Sequence, residues 1–375
     1  EFVPEHWRNL LNQCWAQDPN KRPTFTEICD MLETDDFVNN LSDRGAFDEY
    51  KKQMEPFRPS SKKSDKSIES NRSKDDIFIG EDNQKYYKKI DDIGEGRRSI
   101  AYKIIDTRTN EILCKKVVKI QDDLTSFKNI KNAIKEFEVL HSIKHPCICR
   151  AIAINPAEPF NNVTTVSLYL EFIPRKLKDC LANNILDNTL KTRVVIEIVH
   201  AMKFIHQKGL IHRDLRIENI LLNSVFETKL VDFGFVKIDE NINGGISVMS
   251  SLNSDANAMI YMSPQLINDE DYDSKTDVYS FGMVLHYIFI GQLPNYSLRD
   301  IHIKKKIPLP RPSSLISQFC IDLIAKCTKY EPAERPSFDK ILESIRENSY
   351  LLAPEVDRSL ISRRDNELSS FDSNK

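Results

Sequence analysis

The chain has 375 residues, 40% hydrophobic and 29% charged, an ordinary globular composition with length for two or three domains. A net charge of −3 excludes binding to nucleic acid or to an anionic membrane through bulk charge. Eight cysteines without a CxxC or a paired zinc-ligand spacing read as reduced core thiols of an intracellular protein, which places it in the cytoplasm.

The first helical text is "PEHWRNLLNQCW", where Trp7, Leu10, Leu11 and Cys14 share one face. Asp-Pro and Arg-Pro break it, and Thr24 can cap a second helix carrying Phe25, Ile28 and Leu32. Two short helices bury too little to fold alone. Residues 14–25, "CWAQDPNKRPTF", echo residues 327–338, "CTKYEPAERPSF", without a gap. The echo pairs Cys14 with Cys327, Pro19 with Pro332, Arg22 with Arg335, Pro23 with Pro336 and Phe25 with Phe338. Residues 35–84 read as a linker, partly disordered, because 50–76 are rich in Ser and Lys and poor in apolar side chains.

Alternating, strand-like text runs from Tyr86 to about Ile120. A helix follows at 126–142, then strands at 148–154 and 163–172. Beyond Pro174 the pattern is helical, most clearly at 189–207, where Leu190, Val194, Ile198, Met202 and Ile205 line one face. A β-rich part followed by a larger helical part predicts an α+β protein of two lobes. The most apolar stretch, "VYSFGMVLHYIFIG" (278–291), is shorter than the roughly 18–20 residues of a membrane span and reads as a core helix. No membrane span is expected within this sequence, and residues 351–375 are expected to be a disordered tail. Since residue 1 is not Met, upstream targeting stays open.

Several stretches carry chemistry. "IGEGRRSIAYK" (93–103) sets Gly94 and Gly96 between strands, where glycines let backbone N–H groups approach phosphate; taken alone it reads first as an ordinary hairpin turn. "EILCKKVVKI" (111–120) puts Lys116 on a strand where, if buried, it needs an anion, and the following helix offers Glu136 and Glu138. "LIHRDLRIENILL" (210–222) gathers a carboxylate, a cation and an amide in one loop, a set suited to proton acceptance, phosphate neutralisation and metal binding. "KLVDFGFVK" (229–237) ends a strand on Asp232, which with Asn219 could hold Mg²⁺.

Taken in order, "GEGRRS", "LCKK", "KEFEVL", "HRDLRIEN", "DFG" and "MSPQ" resemble the motif series of the eukaryotic protein kinase family over 85–350. The likeness is strongest to Ser/Thr kinases of the tyrosine-kinase-like group. It implies the bilobal kinase fold, with the N-lobe at 85–171 and the C-lobe at 172–350, acting on protein substrates with ATP and Mg²⁺. Lys116 would hold the α- and β-phosphates and pair with Glu136. Asp214 would orient or deprotonate the substrate hydroxyl, Arg216 would neutralise the γ-phosphate, and Asn219 and Asp232 would bind Mg²⁺. Gly94, Gly96 and Ser99 would cover the phosphates. Backbone groups of Glu171 and Phe172 would meet the adenine, with Ala101, Cys114 and Leu221 packed on the ring. Asp277, opening "DVYSFG", would anchor the catalytic loop. Residues 1–34 would then be the last helices of a preceding, truncated kinase-like domain; the other reading is an extra element docked on the complete domain.

Three positions depart from the family pattern. Ser99 replaces a third glycine, Ala258 a threonine that normally bonds the catalytic Asp, and Gln265 a glutamate that would pair with Arg335. Ala258→Thr is therefore expected to raise kcat. These departures motivate a second reading, a catalytically weak or inactive pseudokinase serving as a nucleotide-binding scaffold; a third is a kinase-fold enzyme for small molecules. Retention of Lys116, Glu136, Asp214, Asn219 and Asp232 favours the enzyme, and "YMSPQ" favours Ser/Thr on a protein. Arg213 beside Asp214 implies control by phosphorylation, with Ser247, Ser250, Ser251 and Ser254 as candidates. Nothing in the sequence specifies an oligomeric state.

Overall fold

The computed structural model describes residues 84–96, 99–118, 124–160, 163–238, 256–268, 270–295 and 305–373, with Gln13 alone before them. The two helices expected in 1–34, nearly all of the 35–84 linker, Arg97, Arg98 and the four candidate serines lie outside the described residues.

Five antiparallel strands form the first layer: β1 (Tyr87–Glu95), β2 (Ser99–Asp106), β3 (Glu111–Val118), β4 (Ala151–Phe160) and β5 (Val163–Glu171), in the order β1-β2-β3-β5-β4. Alternation along the strands sorts side chains to two faces. Leu113, Ile104, Ala153 and Tyr169 form a small cluster on one. Val118, Val166, Leu168 and Leu170 join the main core instead, together with Ala133, Phe137 and Leu140 of α1 (Leu124–Ser142). Those three α1 residues recur at helical spacing, and Glu136, only 3% exposed, lies within the same apolar stripe. A carboxylate buried there requires a partner.

After residues 172–174 the chain becomes mainly helical, with short strands near the lobe junction. Among the described residues these are β6 (Arg175–Lys176), α2 (Leu177–Ala182), α3 (Asn188–Gln207), β7 (Leu210–Ile211), β8 (Ile220–Leu222), β9 (Thr228–Leu230) and β10 (Lys237–Ile238). They continue with α4 (Ala256–Tyr261), α5 (Pro264–Ile267), α6 (Lys275–Ile290), α7 (Gln318–Cys327), α8 (Phe338–Glu347) and α9 (Arg358–Ser373).

Asp187 caps α3 by accepting from the Leu190 amide at 2.7 Å. Core helix α6 is buried nearly all round, as its apolar text predicts, and stops at Gly291, whose φ of 81° suits glycine. Gly282 lets α6 approach the end of α7, since a Cβ there would lie 2.6 Å from Thr328 Cγ2. Among the described residues no helix is long and apolar enough to cross a membrane.

The expected disordered tail is corrected by the structure. Residues 358–373 form α9, packed on α3, with Ile361, Asp365 and Leu368 buried at helical spacing. Asp357 caps it, its carboxylate accepting from the amides of Ser359 and Leu360 at 2.9 and 3.3 Å. Only two of the three buried positions are apolar, so a reading that weighs apolar periodicity passes over this helix. Its docking is carried largely by charged groups, among them Arg364 bonded to buried Glu197 at 2.7 Å.

Candidate active site

The sheet register delivers Lys116 to the inner face, where β3 pairs it with Ala101 on one side and Leu168 on the other. Its Nζ lies 2.9 and 2.8 Å from the two Glu136 oxygens and 3.3 Å from Asp232 Oδ1. Burial pushes the Glu136 carboxyl up; Lys116 opposes this and Asp232 adds to it, so the group stays above the usual carboxylate value. Burial likewise opposes the charge on Lys116, but Asp232 and Glu136 outweigh it and keep the amine protonated. Ser99, Lys116, Glu136 and Asp232 line one small hollow. Ala101 pairs with Lys116 on one side and with Gly94 on the other, and the Gly96 amide donates to the Ser99 carbonyl at 2.8 Å.

The catalytic-loop residues are held from below by α6. Asp277 is buried and accepts from the amides of His212 and Arg213, each at 2.8 Å, and from His206 Nε2 at 2.9 Å. Burial alone would raise its pKa, but these bonds prevail and hold it below the usual carboxylate value. The anchor fixes Arg213 at φ 65°, a left-handed backbone that costs a non-glycine residue roughly 1–3 kcal/mol and recurs at functional sites. Asp232, among the candidate site residues, is also held at φ 65°.

Asp214 is positioned by Asn219, whose Nδ2 donates to the Asp214 carbonyl at 2.8 Å and to Oδ2 at 2.9 Å. Committing the amide nitrogen leaves the Asn219 oxygen as a ligand atom. Its 3₁₀ turn is tied to the segment carrying Asp232, since the Val231 amide donates to the Asn219 carbonyl at 3.0 Å. Asn219 is 8% exposed and the Asp232 side chain 38%, so the first is fixed in the interior while the second meets solvent. An amide oxygen and a carboxylate are donor types that suit a hard divalent cation, which fills its remaining positions with water and phosphate. Arg216 Nε donates to Glu218 Oε2 at 3.1 Å, and Glu218 also meets Lys178 at 3.0 Å.

A second hollow, of 530 Å³, lies at the lobe junction and is lined by Ile93, Phe172, Ile173, Asp179 and Leu221 among others. Glu171 does not offer a base all that the sequence suggests. Its amide is spent on the Arg150 carbonyl at 3.0 Å, and its carboxylate faces the Arg150 amide and Lys229, each at 2.9 Å. The amides of Phe172 and Ile173, just past the strand end, remain without an internal bond among the described residues. Ile173 and Asp179 were missed from sequence; Ile173 was legible only as the next residue along. Cys114, paired with Leu170, is half-buried, and burial pushes its thiol up to about 11.

Two departures from the pattern gain a setting. Gln265 Oε1 accepts from Arg335 Nη2 at 2.7 Å, and its Nε2 donates to the Tyr330 carbonyl at 3.0 Å. Arg335 is 2% exposed, no described carboxylate lies within 4.0 Å, and burial pushes its guanidinium down to about 10. Ala258 is packed against Phe235, Met262 and Leu266, and α4 runs through the stretch that contains it. A threonine hydroxyl would be enclosed by apolar groups there, so the gain in kcat expected from Ala258→Thr no longer follows.

The model of the protein kinase domain matches residues 87–345. A chain named "Probable serine/threonine-protein kinase" from Dictyostelium discoideum is 29% identical over 263 residues, 68% of this chain and 27% of its own length. Serine/threonine-protein kinase fused of Drosophila melanogaster is 27% identical over 254 residues, 67% of this chain and 30% of its own. Mitogen-activated protein kinase kinase kinase A of Dictyostelium discoideum is 27% identical over 263 residues, 67% and 26%. The chain thus spans between a quarter and a third of the length of these relatives. With its sheet, its anchored loop and a match over most of its length, this chain belongs to the protein kinase family.

Proposed function

We propose that this chain transfers the γ-phosphoryl group of ATP to serine and threonine hydroxyls of protein substrates. The carrying observation is the joint placement of Lys116 between Glu136 and Asp232, and of Asp214 against Asn219. Phosphoryl transfer asks for positioning and charge neutralisation more than for covalent chemistry. Lys116 supplies a fixed cation for phosphate oxygens, and Glu136 keeps it from collapsing onto Asp232 alone. Asp214, oriented by Asn219, accepts the proton of the attacking hydroxyl. Arg216, steadied by Glu218, adds positive charge beside it. Asn219 and Asp232 would hold Mg²⁺, which when bound neutralises the phosphate charge. The mouth at Phe172 and Ile173 would take the adenine, with Leu221 and Cys114 on its faces. The Ser/Thr kinases among the relatives support the acceptor class.

The six described cysteines are free thiols, which supports a reducing compartment, the cytoplasm. In 327–338 the positions shared with 14–25 include buried Cys327, Arg335 and Phe338. That supports reading 1–34 as the same element of a second kinase domain in tandem. A coding sequence upstream lacking a second HRD and DFG pair would contradict it.

Asp214→Asn tests the catalytic assignment. The expected result is a fall in kcat of about 10²–10⁴-fold with ATP affinity nearly unchanged, because only proton acceptance is lost. Wild-type turnover in this variant would remove Asp214 from the mechanism.

A further inference from the structure

Helix α9 lies beyond the region matched to the kinase domain, and it meets α3 through a buried polar cluster. His200 of α3 is fully buried. Its Nε2 stands 2.8 Å from Asp365 Oδ1 and its Nδ1 3.1 Å from Asp372 Oδ2, both on α9. A neutral imidazole carries one N–H, so it can donate to one carboxylate while turning a lone pair toward the other. Imidazolium alone satisfies both. Asp365 has further donors in Arg346 of α8, at 2.7 Å from each oxygen, and in the Tyr350 hydroxyl at 2.7 Å. Among the described residues Asp372 meets only His200 and, at 3.6 Å and so at the edge of hydrogen-bond length, His145 Nε2. The remaining charged groups at this seam are Arg364, paired with Glu197 at 2.7 Å and Glu227 at 3.2 Å, and Arg193, 4.0 Å from Glu197.

His145 ties the cluster to the active site. Its ring lies between Phe204 of α3 and Phe371 of α9, with centroids 5.1 and 5.5 Å away, and its Nδ1 accepts from the Cys147 amide at 3.1 Å. The loop at 143–150 follows directly on α1, which carries Glu136. It is also stitched to β9, since Cys149 donates to the Leu230 carbonyl and Leu230 to that of Cys147, each at 2.8 Å. Leu230 stands two residues before Asp232. The loop braced by α9 therefore lies behind both carboxylates that hold Lys116.

We propose that α9 is a proton-gated strap, docked while His200 is imidazolium and released when it loses its proton, and that in the docked state it braces the 143–150 loop. Burial pushes His200 down, but the bonds to Asp365 and Asp372 outweigh it and hold it above the ordinary imidazole value. The stabilisation from His200 is thus fully present below about pH 6.5 and is lost as pH rises through the folded-state value. Burial would raise Asp365 and Asp372, yet their partners (Arg346 and His200 for Asp365, His145 and His200 for Asp372) hold both well below the usual carboxylate range. Their contribution fades only as pH falls below about 4. The strap is firmest between those limits and loosens above neutrality.

Hydrogen exchange on the full chain at about pH 6 and about pH 9, normalised for intrinsic rates, tests this. Between the undocked imidazole value, about 6.5, and the higher folded-state value docking weakens about tenfold per pH unit and then levels off, so wild-type protection over 358–373 should fall severalfold, with 143–150 loosening in step. Asp372→Asn places an amide donor against Nδ1 of a neutral His200 and should cut the change to under about twofold. Equal wild-type protection at both pH values overturns the gate by itself, even if the variant fails to fold, and so does a variant that tracks the wild type. Release of α9 with 143–150 unchanged overturns the bracing.

Discussion

Lys116 and Arg335 are both buried cations, and they are satisfied in opposite ways. Lys116 has two carboxylates within 3.3 Å, whereas Arg335 is held by Gln265 and by the carbonyls of Lys275, Lys329 and Tyr330. Bonds between two charged groups are roughly twice as strong as those between neutral ones. Gln265→Glu gives Arg335 a counter-charge at the cost of the Tyr330 bond. The expected net gain is about 1 kcal/mol, a rise in Tm of roughly 2–4 °C by calorimetry. A fall would mean that the lost donor outweighs the charge. Cys114 belongs to the same scale. With its thiol pushed up to about 11, little thiolate exists at neutral pH, so it should resist iodoacetamide at about pH 7.5 while a free thiol reacts. Prompt alkylation there, located by peptide mapping, would contradict the burial argument.

Among the elements, α6 is the platform on which the rest is assembled. Asp277 in its first turn grips the catalytic loop, Ser280 accepts the role of holding Tyr261 by donating to its carbonyl at 2.8 Å, and Gly282 admits the end of α7. Gly282→Ala forces a methyl onto Thr328 Cγ2 and should destabilise the fold by about 1–3 kcal/mol. Adding Thr328→Ser removes that methyl and should recover part of the loss in thermal melts; no recovery would shift the clash to Cys327, whose Cβ lies 3.0 Å from the same point.

For the whole molecule, the two lobes and the grouping of most candidate site residues were legible because a short run of residues dictates each part. "HRDLRIEN" places Asp214 and Asn219 five residues apart, and the 3₁₀ turn at Ile217–Asn219 brings them into contact. "DFG" fixes Asp232 next to a strand end. The remainder depends on long-range pairing that local text does not encode. Commitment of the Glu171 amide to Arg150, the apolar enclosure of Ala258, and the docking of α9 through His200 each join residues far apart in the chain. A polar helix gains its order from partners on other elements, so composition alone marked it as solvated.

The most direct measurement is phosphate transfer by the purified full chain with Mg²⁺-ATP and a generic protein acceptor, identifying the modified hydroxyl, with Lys116→Met and Asp214→Asn in parallel. Transfer to serine and threonine that both substitutions abolish is the predicted result. ATP binding without transfer would make the chain a nucleotide-binding scaffold, and transfer to tyrosine would contradict the acceptor class proposed for it.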